Sequence, residues 1–337
     1  MSGDVLNIEV TYEESGARLD RWFKRRFEGV TQGQVEKYLR TGQIRVDGAR
    51  AKSSTRLEPG QVVRVPPLPS KAEREAEKEK KKAQNARQIS AKDETFIRDM
   101  LIYQDDDIIA LNKSAGLAVQ GGTNTSRHID GMLDALGDGK HRPKLVHRLD
   151  RDTSGVLLIA KHPRAAAELG DMFRERTLKK VYWAVVAGVP VPHRGQIRSW
   201  MIKGTGPAGE KERMMPAVQS DKGSQHAVTE YAVVSPAAQR AAWVALSPLT
   251  GRTHQLRFHM EEMGNAIIGD PKYPGRREPL NGLGQGLHLH ARALVIPRKT
   301  GKDLTLMAPL PKHMVETFNA LGFLLEEAGK DPWEPFE

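Results

Sequence analysis

From Leu68 to Ala91 the chain reads LPSKAEREAEKEKKKAQNARQISA, charged throughout and with almost no side chain able to join a core. Such a segment cannot bury enough apolar surface to offset the entropy of ordering it, so the 337 residues are expected to fold as two units on either side of a mobile tether. Its Ala, Glu and Lys content favours transient helix, but no apolar stripe holds that helix against a neighbour. The division reads as a first domain over 8–67, a charged flexible linker over 68–91, a second domain over 92–325 and a C-terminal tail over 326–337.

In the first domain, GARLDRWFKRRF spaces Leu19, Trp22, Phe23 and Phe27 at i, i+3, i+4 and i+8, which predicts a helix with one apolar face and a basic remainder. QGQVEKYLRTG predicts a second helix stopped by Gly42, and QIRVDG and GQVVRVPP alternate as strands. Between Gly16 and Arg56 eleven Lys and Arg stand against four acids, a local excess of seven in a chain whose net charge is +10. A solvated helix face accounts for such charge; so does a polyanionic partner, with nucleic acid ahead of an anionic membrane.

The second domain alternates apolar strands (GVLLIAK, VYWAVVAG, QHAVTEYAVVS, AAWVALSP) with helices at PRAAAELGDMFRER and RTHQLRFHMEEMG. A last helix near HMVETFNALGFLLEEAG carries Met314, Phe318, Leu321 and Leu325 at helical spacing. The pattern predicts an α+β fold, a mixed and mostly antiparallel sheet flanked by helices. The chain has no cysteine, which excludes disulfides and thiolate chemistry and makes a reducing, cytoplasmic setting the simplest. No run of about 18 apolar residues is present, so no membrane association is expected.

Cofactor motifs are sparse. GTGPAG at 204–209 has the letters of a dinucleotide fingerprint but follows no clear strand, and reads as a loop. DRDTSG imitates the start of a calcium loop, yet the twelfth position, which calls for a bidentate Glu, is Lys161. No phosphate-binding loop and no zinc helix occurs, and His254, His259, His288 and His290 lack ligand spacing, so neither a metal nor a cofactor is expected. Asp150, set between Arg148 and Arg151, is either the carboxylate of a buried Asp–Arg pair capping a turn or a nucleophile or base kept ionised by its neighbours. Asp152 reads as a turn residue.

Four stretches taken in order, HRLDRDTSGVLLIAK, LKKVYWAVVAG, LSPLTGRTHQLRFHMEEMGNAIIGDPKY and LHLHARAL, resemble the RluA family of pseudouridine synthases over about Leu101 to Pro311. GARLDRWFKRRF through GQVVRV resembles an S4 domain, a small RNA-binding module of helices followed by strands. The resemblance implies an enzyme that isomerises uridine to its C-glycoside in RNA without a cofactor, acting in the cytoplasm and most simply as a monomer. With FEGVTQGQVEKYLRTGQIRVDG and LIYQDDDIIALNKSAGLAVQGG, the nearest subgroup acts on large-subunit ribosomal RNA and implies uridines 955, 2504 and 2580 as targets; other uridines of that RNA, or transfer RNA, are the alternative within the class. A binding or assembly factor that has kept the fold without turnover is the alternative outside it.

By the same resemblance Asp150 is the essential carboxylate, which either adds to the sugar or takes a proton from it. Arg148 enters the RNA stack in place of the flipped base, or else is a second partner for Asp150. Tyr182 packs against the flipped base, or else is strand core. Arg252 pairs with Asp150 and keeps it ionised, or else holds phosphate, and Leu289 forms pocket wall or ordinary core. Arg18, Arg21, Arg25, Lys37, Arg40 and Arg45 of the S4-like region are implied as phosphate contacts. One departure from the family pattern is Ser114, where NKSAG replaces the usual Lys-Pro.

Overall fold

The computed structural model describes residues 5–27, 30–68, 89–122, 125–204, 213–278, 280–298 and 301–337. The chain forms two compact units, Met1–Gln88 and Ile89–Glu337. Most of the expected linker, 69–88, and most of the GTGPAG loop, 205–209, lie outside the described residues.

In the first unit β1 (Leu6–Glu9), α1 (Leu19–Arg26), α2 (Gln32–Arg40), β2 (Arg45–Val46), β3 (Ala49–Arg50) and β4 (Val62–Val65) follow in order. The strands form an antiparallel sheet in the order β1-β4-β2-β3. Leu19, Trp22 and Phe23 of α1 and Val35 and Leu39 of α2 pack with Ile44, Leu57, Val63 and Val65, so the apolar stripes read from sequence are the faces that are buried. Thr31 caps α2, exchanging hydrogen bonds with Gln34, and Gly42 takes the left-handed conformation (φ 69°) just beyond its end. Strand β1 carries three exposed positions of four and so lacks the alternation that marks a strand in sequence.

The second unit runs α3 (Ala91–Asp99), β5 (Leu101–Gln104), β6 (Ile108–Lys113), α4 (Ile129–Met132), β7 (Lys144–Leu145), β8 (Ser154–Ala160), α5 (Pro163–Glu175), β9 (Lys179–Ala187), β10 (Arg194–Gly204), β11 (Arg213–Ala217), β12 (Gln225–Ala237), β13 (Ala241–Pro248), α6 (Gln255–Glu262), β14 (Leu289–Ile296), β15 (Leu304–Met307) and α7 (Lys312–Leu321). Eleven strands make one sheet, β11-β10-β12-β13-β9-β14-β8-β6-β5, with β15 on β14 and β7 on β8. The pairing of β14 with β8, His290 opposite Ser154, is parallel, and the other described pairings in this sheet are antiparallel. This is the mixed, mostly antiparallel architecture expected from the strand pattern.

Strand β8 is buried at all seven positions because α3 and α4 cover one face of the sheet there while α5 and β15 cover the other. Strand β9 separates two layers by alternation. Val181, Trp183 and Val185 meet Trp243, Met314 and Phe318, while Tyr182, Ala184 and Val186 turn toward Leu256 and Met260 of α6. That alternation points Tyr182 at the side of the sheet where the candidate site lies.

Three boundaries differ from the sequence reading. Helix α7 ends at Leu321, followed by Gly322 at φ 74°, and Leu325 lies in a separate exposed turn, so the helical spacing of Leu325 is coincidental. The stretch 326–337 is no tail: Ala328 is buried, Trp333 and Phe336 pack on the β9–β13 core, and Glu327 accepts the Ser235 hydroxyl at 2.9 Å. Helix α3 likewise begins at Ala91, inside the expected linker.

Candidate active site

Three loops close over the side of the sheet that Tyr182 faces: the one before β8, the one after α5 and the one before α6. Between them lies a cavity of about 370 Å³ that Arg148, Asp150, Tyr182, Arg252 and Leu289 all line. These five residues, named from motifs far apart in the chain, are brought together by the pairing of β9 with β14 and the fold-back of α6. Leu289 is buried and supplies wall; Arg148 is exposed at the lip.

The loop carrying Asp150 is held from behind. Lys113, fully buried at the end of β6, donates from Nζ to the carbonyls of Ser114, Leu117 and Arg151, each at 2.9 Å. Burial lowers its pKa to about 7 against the opposing pull of Asp152 and Asp150. Arg151 and Gly116 exchange a further pair of hydrogen bonds. From the other side His147 accepts the Leu158 N–H at 2.8 Å on Nε2 and stacks on Phe173 at 4.6 Å, and burial depresses its pKa to about 3. Asp152, read as a turn cap, accepts none of the described hydrogen bonds; the turn rests on Lys113 and on Thr153 N–H to Asp150 C=O, 3.2 Å.

The expected pairing of Arg252 with Asp150 is not found among the described ion pairs. Arg252 Nε donates instead to the His226 carbonyl at 3.2 Å, because its loop runs beside β12 before α6 begins. Besides Lys113, a second buried cation couples to Asp150: Arg257, five residues on, a residue that the motif reading does not single out although it stands in the same GRTHQLR stretch. Arg257 is 1% exposed and grips Asp270 with two 2.6 Å hydrogen bonds. Burial works against its charge, but Asp270, Asp150 and Asp152 together raise its pKa. Burial, and after it the Asp150 carboxylate, pushes the Tyr182 phenol well above its ordinary value, so the hydroxyl stays protonated beside Asp150.

Of the four histidines, only His254 lines the cavity. It sits in the left-handed region (φ 53°) at the start of α6, and burial lowers its pKa, opposed by Asp150. His259, His288 and His290 are fully buried, with pKa values lowered to about 4 chiefly by burial, and bond Thr229, Thr317 and Ser154 at 2.7–2.8 Å. They tie α6 to β12, the residue before β14 to α7, and β14 to β8 in the interior. Among the described residues no group of three or more His, Asp or Glu is arranged to hold a metal ion, and no helix is long and apolar enough to cross a membrane.

In the first unit Arg18 is bidentate on Asp20 (2.7 and 3.2 Å), and Arg45 spends its donors on the carbonyls of Gly42 and Gly48. Arg21, Arg25, Lys37 and Arg40 are exposed, with no side-chain partner among the described residues.

A family model described as RNA pseudouridylate synthase matches residues 107–262, which contain Asp150, Tyr182, Arg252 and Arg257. A protein of Rickettsia felis named ribosomal large subunit pseudouridine synthase C is 35% identical over 306 residues, 90% of this chain and 96% of that one. The protein of the same name from Escherichia coli K12 is 36% identical over 316 residues, 92% and 94% of the two chains. Among solved structures, human RNA pseudouridylate synthase domain containing 4 superposes with a TM-score of 0.58 at 29% identity, covering 68% of this chain and 97% of its own. The chain therefore belongs to the RluA family of RNA pseudouridine synthases, isomerases that convert uridine to pseudouridine.

Proposed function

We propose that this isomerase acts on large-subunit ribosomal RNA, the substrate in the names of its bacterial relatives, with Asp150 as the catalytic carboxylate. What carries the reading is the placement of Asp150 in one cavity with a protonated Tyr182, a buried Arg257 and the apolar wall of Leu289. In the reaction the N1–C1′ bond of uridine breaks, a C5–C1′ bond forms, C5 loses a proton and N1 gains one. A base inside folded RNA reaches such a cavity only by leaving its stack. Arg148, free at the lip, fills the vacated place; Tyr182 and Leu289 pack the base; Asp150 adds to the sugar or removes a proton from it. Arg257 provides a fixed positive charge opposite the carboxylate, and Arg252, at the rim, contacts the RNA strand.

The first unit serves as an S4-type RNA clamp. Support comes from Arg21, Arg25, Lys37 and Arg40 on its two helices, exposed and without a side-chain partner among the described residues. Replacing these four by Gln lowers affinity and flattens its salt dependence, by roughly 0.7–0.9 in the log–log slope for each phosphate no longer neutralised; an unchanged slope overturns the clamp.

The deciding experiment is Asp150→Asn. RNA binding persists while pseudouridine formation in a large-subunit RNA transcript disappears; conversion by this variant at the wild-type rate removes Asp150 from the chemistry. Mapping pseudouridine across ribosomal and transfer RNA in cells with and without the gene identifies the target uridines.

A further inference from the structure

The cavity holds two more cations that the roles above leave unused. Lys180 lies two residues before Tyr182 on β9 and so shares its face, and Arg176 stands just past the end of α5; both line the cavity. Neither side chain has an acidic or hydrogen-bonded partner among the described residues. The neighbouring Lys179, on the opposite face, lies over the Trp333 ring at 5.0 Å, which makes the unpaired state of Lys180 a property of its position rather than of the strand. Burial lowers the pKa of Lys180, and the charge of Arg176 lowers it further, while no carboxylate offsets either effect. His147, across the same cavity, feels the Lys180 charge as well.

The backbone adds a second sign. Arg176 is held at φ 61°, ψ 32°, a place at the helix end that glycine fills most easily, and its N–H still closes on the Met172 carbonyl. A long cation thus occupies a backbone position that glycine would fill more easily, at the cavity that Lys180 also lines. Two like charges from different elements that line one cavity, neither paired with an acid among the described residues, form a site that is completed by an anion.

We propose that Arg176 and Lys180 clamp the backbone phosphate adjoining the uridine that enters the cavity. This rests on the reading of the cavity as the site of the flipped uridine. Uracil and ribose are neutral, so the phosphates on either side are the anionic groups that a flipped uridine brings with it. Arg176 offers a planar fork and Lys180 a point charge, the combination that suits a phosphate with two free oxygens. Held there, the phosphate fixes the sugar relative to Asp150 without any contact to the base, so the clamp is indifferent to sequence.

The test uses the full chain and an RNA fragment that it converts, made with a neutral methylphosphonate either 5′ or 3′ of the target uridine. For the wild-type protein one of the two replacements weakens binding roughly ten- to a hundredfold, the range for a charge-assisted hydrogen bond. Lys180→Met and Arg176→Gly each weaken binding of the unmodified RNA and flatten its salt slope. Combined with the sensitive methylphosphonate they give little further loss, since both changes remove the same interaction. Arg176→Gly suits the left-handed backbone, so its thermal unfolding temperature is unchanged or higher and a folding defect cannot explain its result. Wild-type affinity of both variants for unmodified RNA, or losses that multiply fully at both phosphate positions, overturns the clamp. Conversion by Asp150→Asn overturns the reading of the cavity instead, so the two failures are distinguishable.

Discussion

The Tyr273 hydroxyl lies 3.1 Å from Nδ1 of His254 and accepts the Met214 N–H at 2.7 Å. A phenol has one proton, and with its oxygen accepting from Met214 that proton is directed to His254. The imidazole, neutral because burial lowers its pKa, is thereby fixed as the tautomer with the proton on Nε2, the nitrogen left for the cavity. Tyr273→Phe keeps the ring that Arg213 and Arg257 stack over at 4.9 and 5.4 Å, so it removes the hydroxyl alone. It leaves a buried N–H unsatisfied, at a cost of about 1–3 kcal/mol, and lets the His254 tautomer vary. Urea unfolding reads the first effect. Single-turnover kinetics reads the second, with turnover reduced and RNA affinity close to wild type; wild-type values in both would show the hydroxyl to be idle.

The two arginines of GRTHQLR differ in kind, and so should their variants. Arg257→Met strands the Asp270 carboxylate in the interior, where the N–H groups of Lys272 and Tyr273 are its remaining described hydrogen bonds. Breaking a buried pair in this way costs about 3–5 kcal/mol. Arg252→Met gives up one hydrogen bond to a carbonyl at the surface, worth about 0.5 kcal/mol or less. The expected result is a large fall in the denaturant midpoint for Arg257→Met and almost none for Arg252→Met, whose loss appears in RNA affinity. Equal destabilisation would contradict the burial of Arg257 with Asp270 as an ion pair.

Why that distinction escapes a reading of the sequence is physical. Residues 255–260 of α6 are buried all round, so the helix has no polar face from which to tell that Arg257 points inward, and its partner Asp270 is thirteen residues away. Arg252 and Arg257 are equally plausible in one dimension. Lys113 raises the same difficulty, because its three acceptors are backbone carbonyls, which carry no mark in a sequence. Strand β10 gives no strand signal in the sequence because it is largely polar and open to solvent. What is legible has a strong local signature: the apolar face of α1, the all-apolar β8, and the motif order that brings Asp150, Tyr182 and Leu289 to one cavity.

Acid should unfold the second unit from within. His259, His288 and His290 are buried with folded pKa values of about 4, below the ordinary 6.5, and His147 is lower still. Between these values the unfolded chain binds more protons than the native one, so stability falls as the pH drops from 6.5 towards 4 and is fully present above 6.5. Each such ring accounts for on the order of 2–3 kcal/mol at the acid end of that window. Thermal unfolding followed from about pH 7 down to about pH 4 should show a steep loss. His288→Gln should flatten it, and a profile level through that range would mean that these rings are not buried as neutral groups.

The glycine that ends the DRDTSG motif answers to a close approach that only the fold makes visible. A Cβ on Gly155 would lie 2.2 Å from the carbonyl oxygen of Ala291, because β8 and β14 run parallel there, at the residue beside the His290–Ser154 pair. The obstacle is backbone, which cannot rotate aside as a side chain does, and φ is 110°, outside the range that L residues adopt easily. Gly155→Ala therefore separates the strands or breaks the Ser154 Oγ to His290 Nδ1 bond of 2.8 Å. The loss should be at least about 1–3 kcal/mol from the backbone conformation alone. Since β8 begins four residues after Asp150 and β14 carries Leu289, turnover should fall with stability. Gly116→Ala, at a similarly positive φ of 83° but with open space around the added carbon, should cost only the conformational part. Equal destabilisation by the two substitutions would show that the close approach of β8 and β14 contributes nothing.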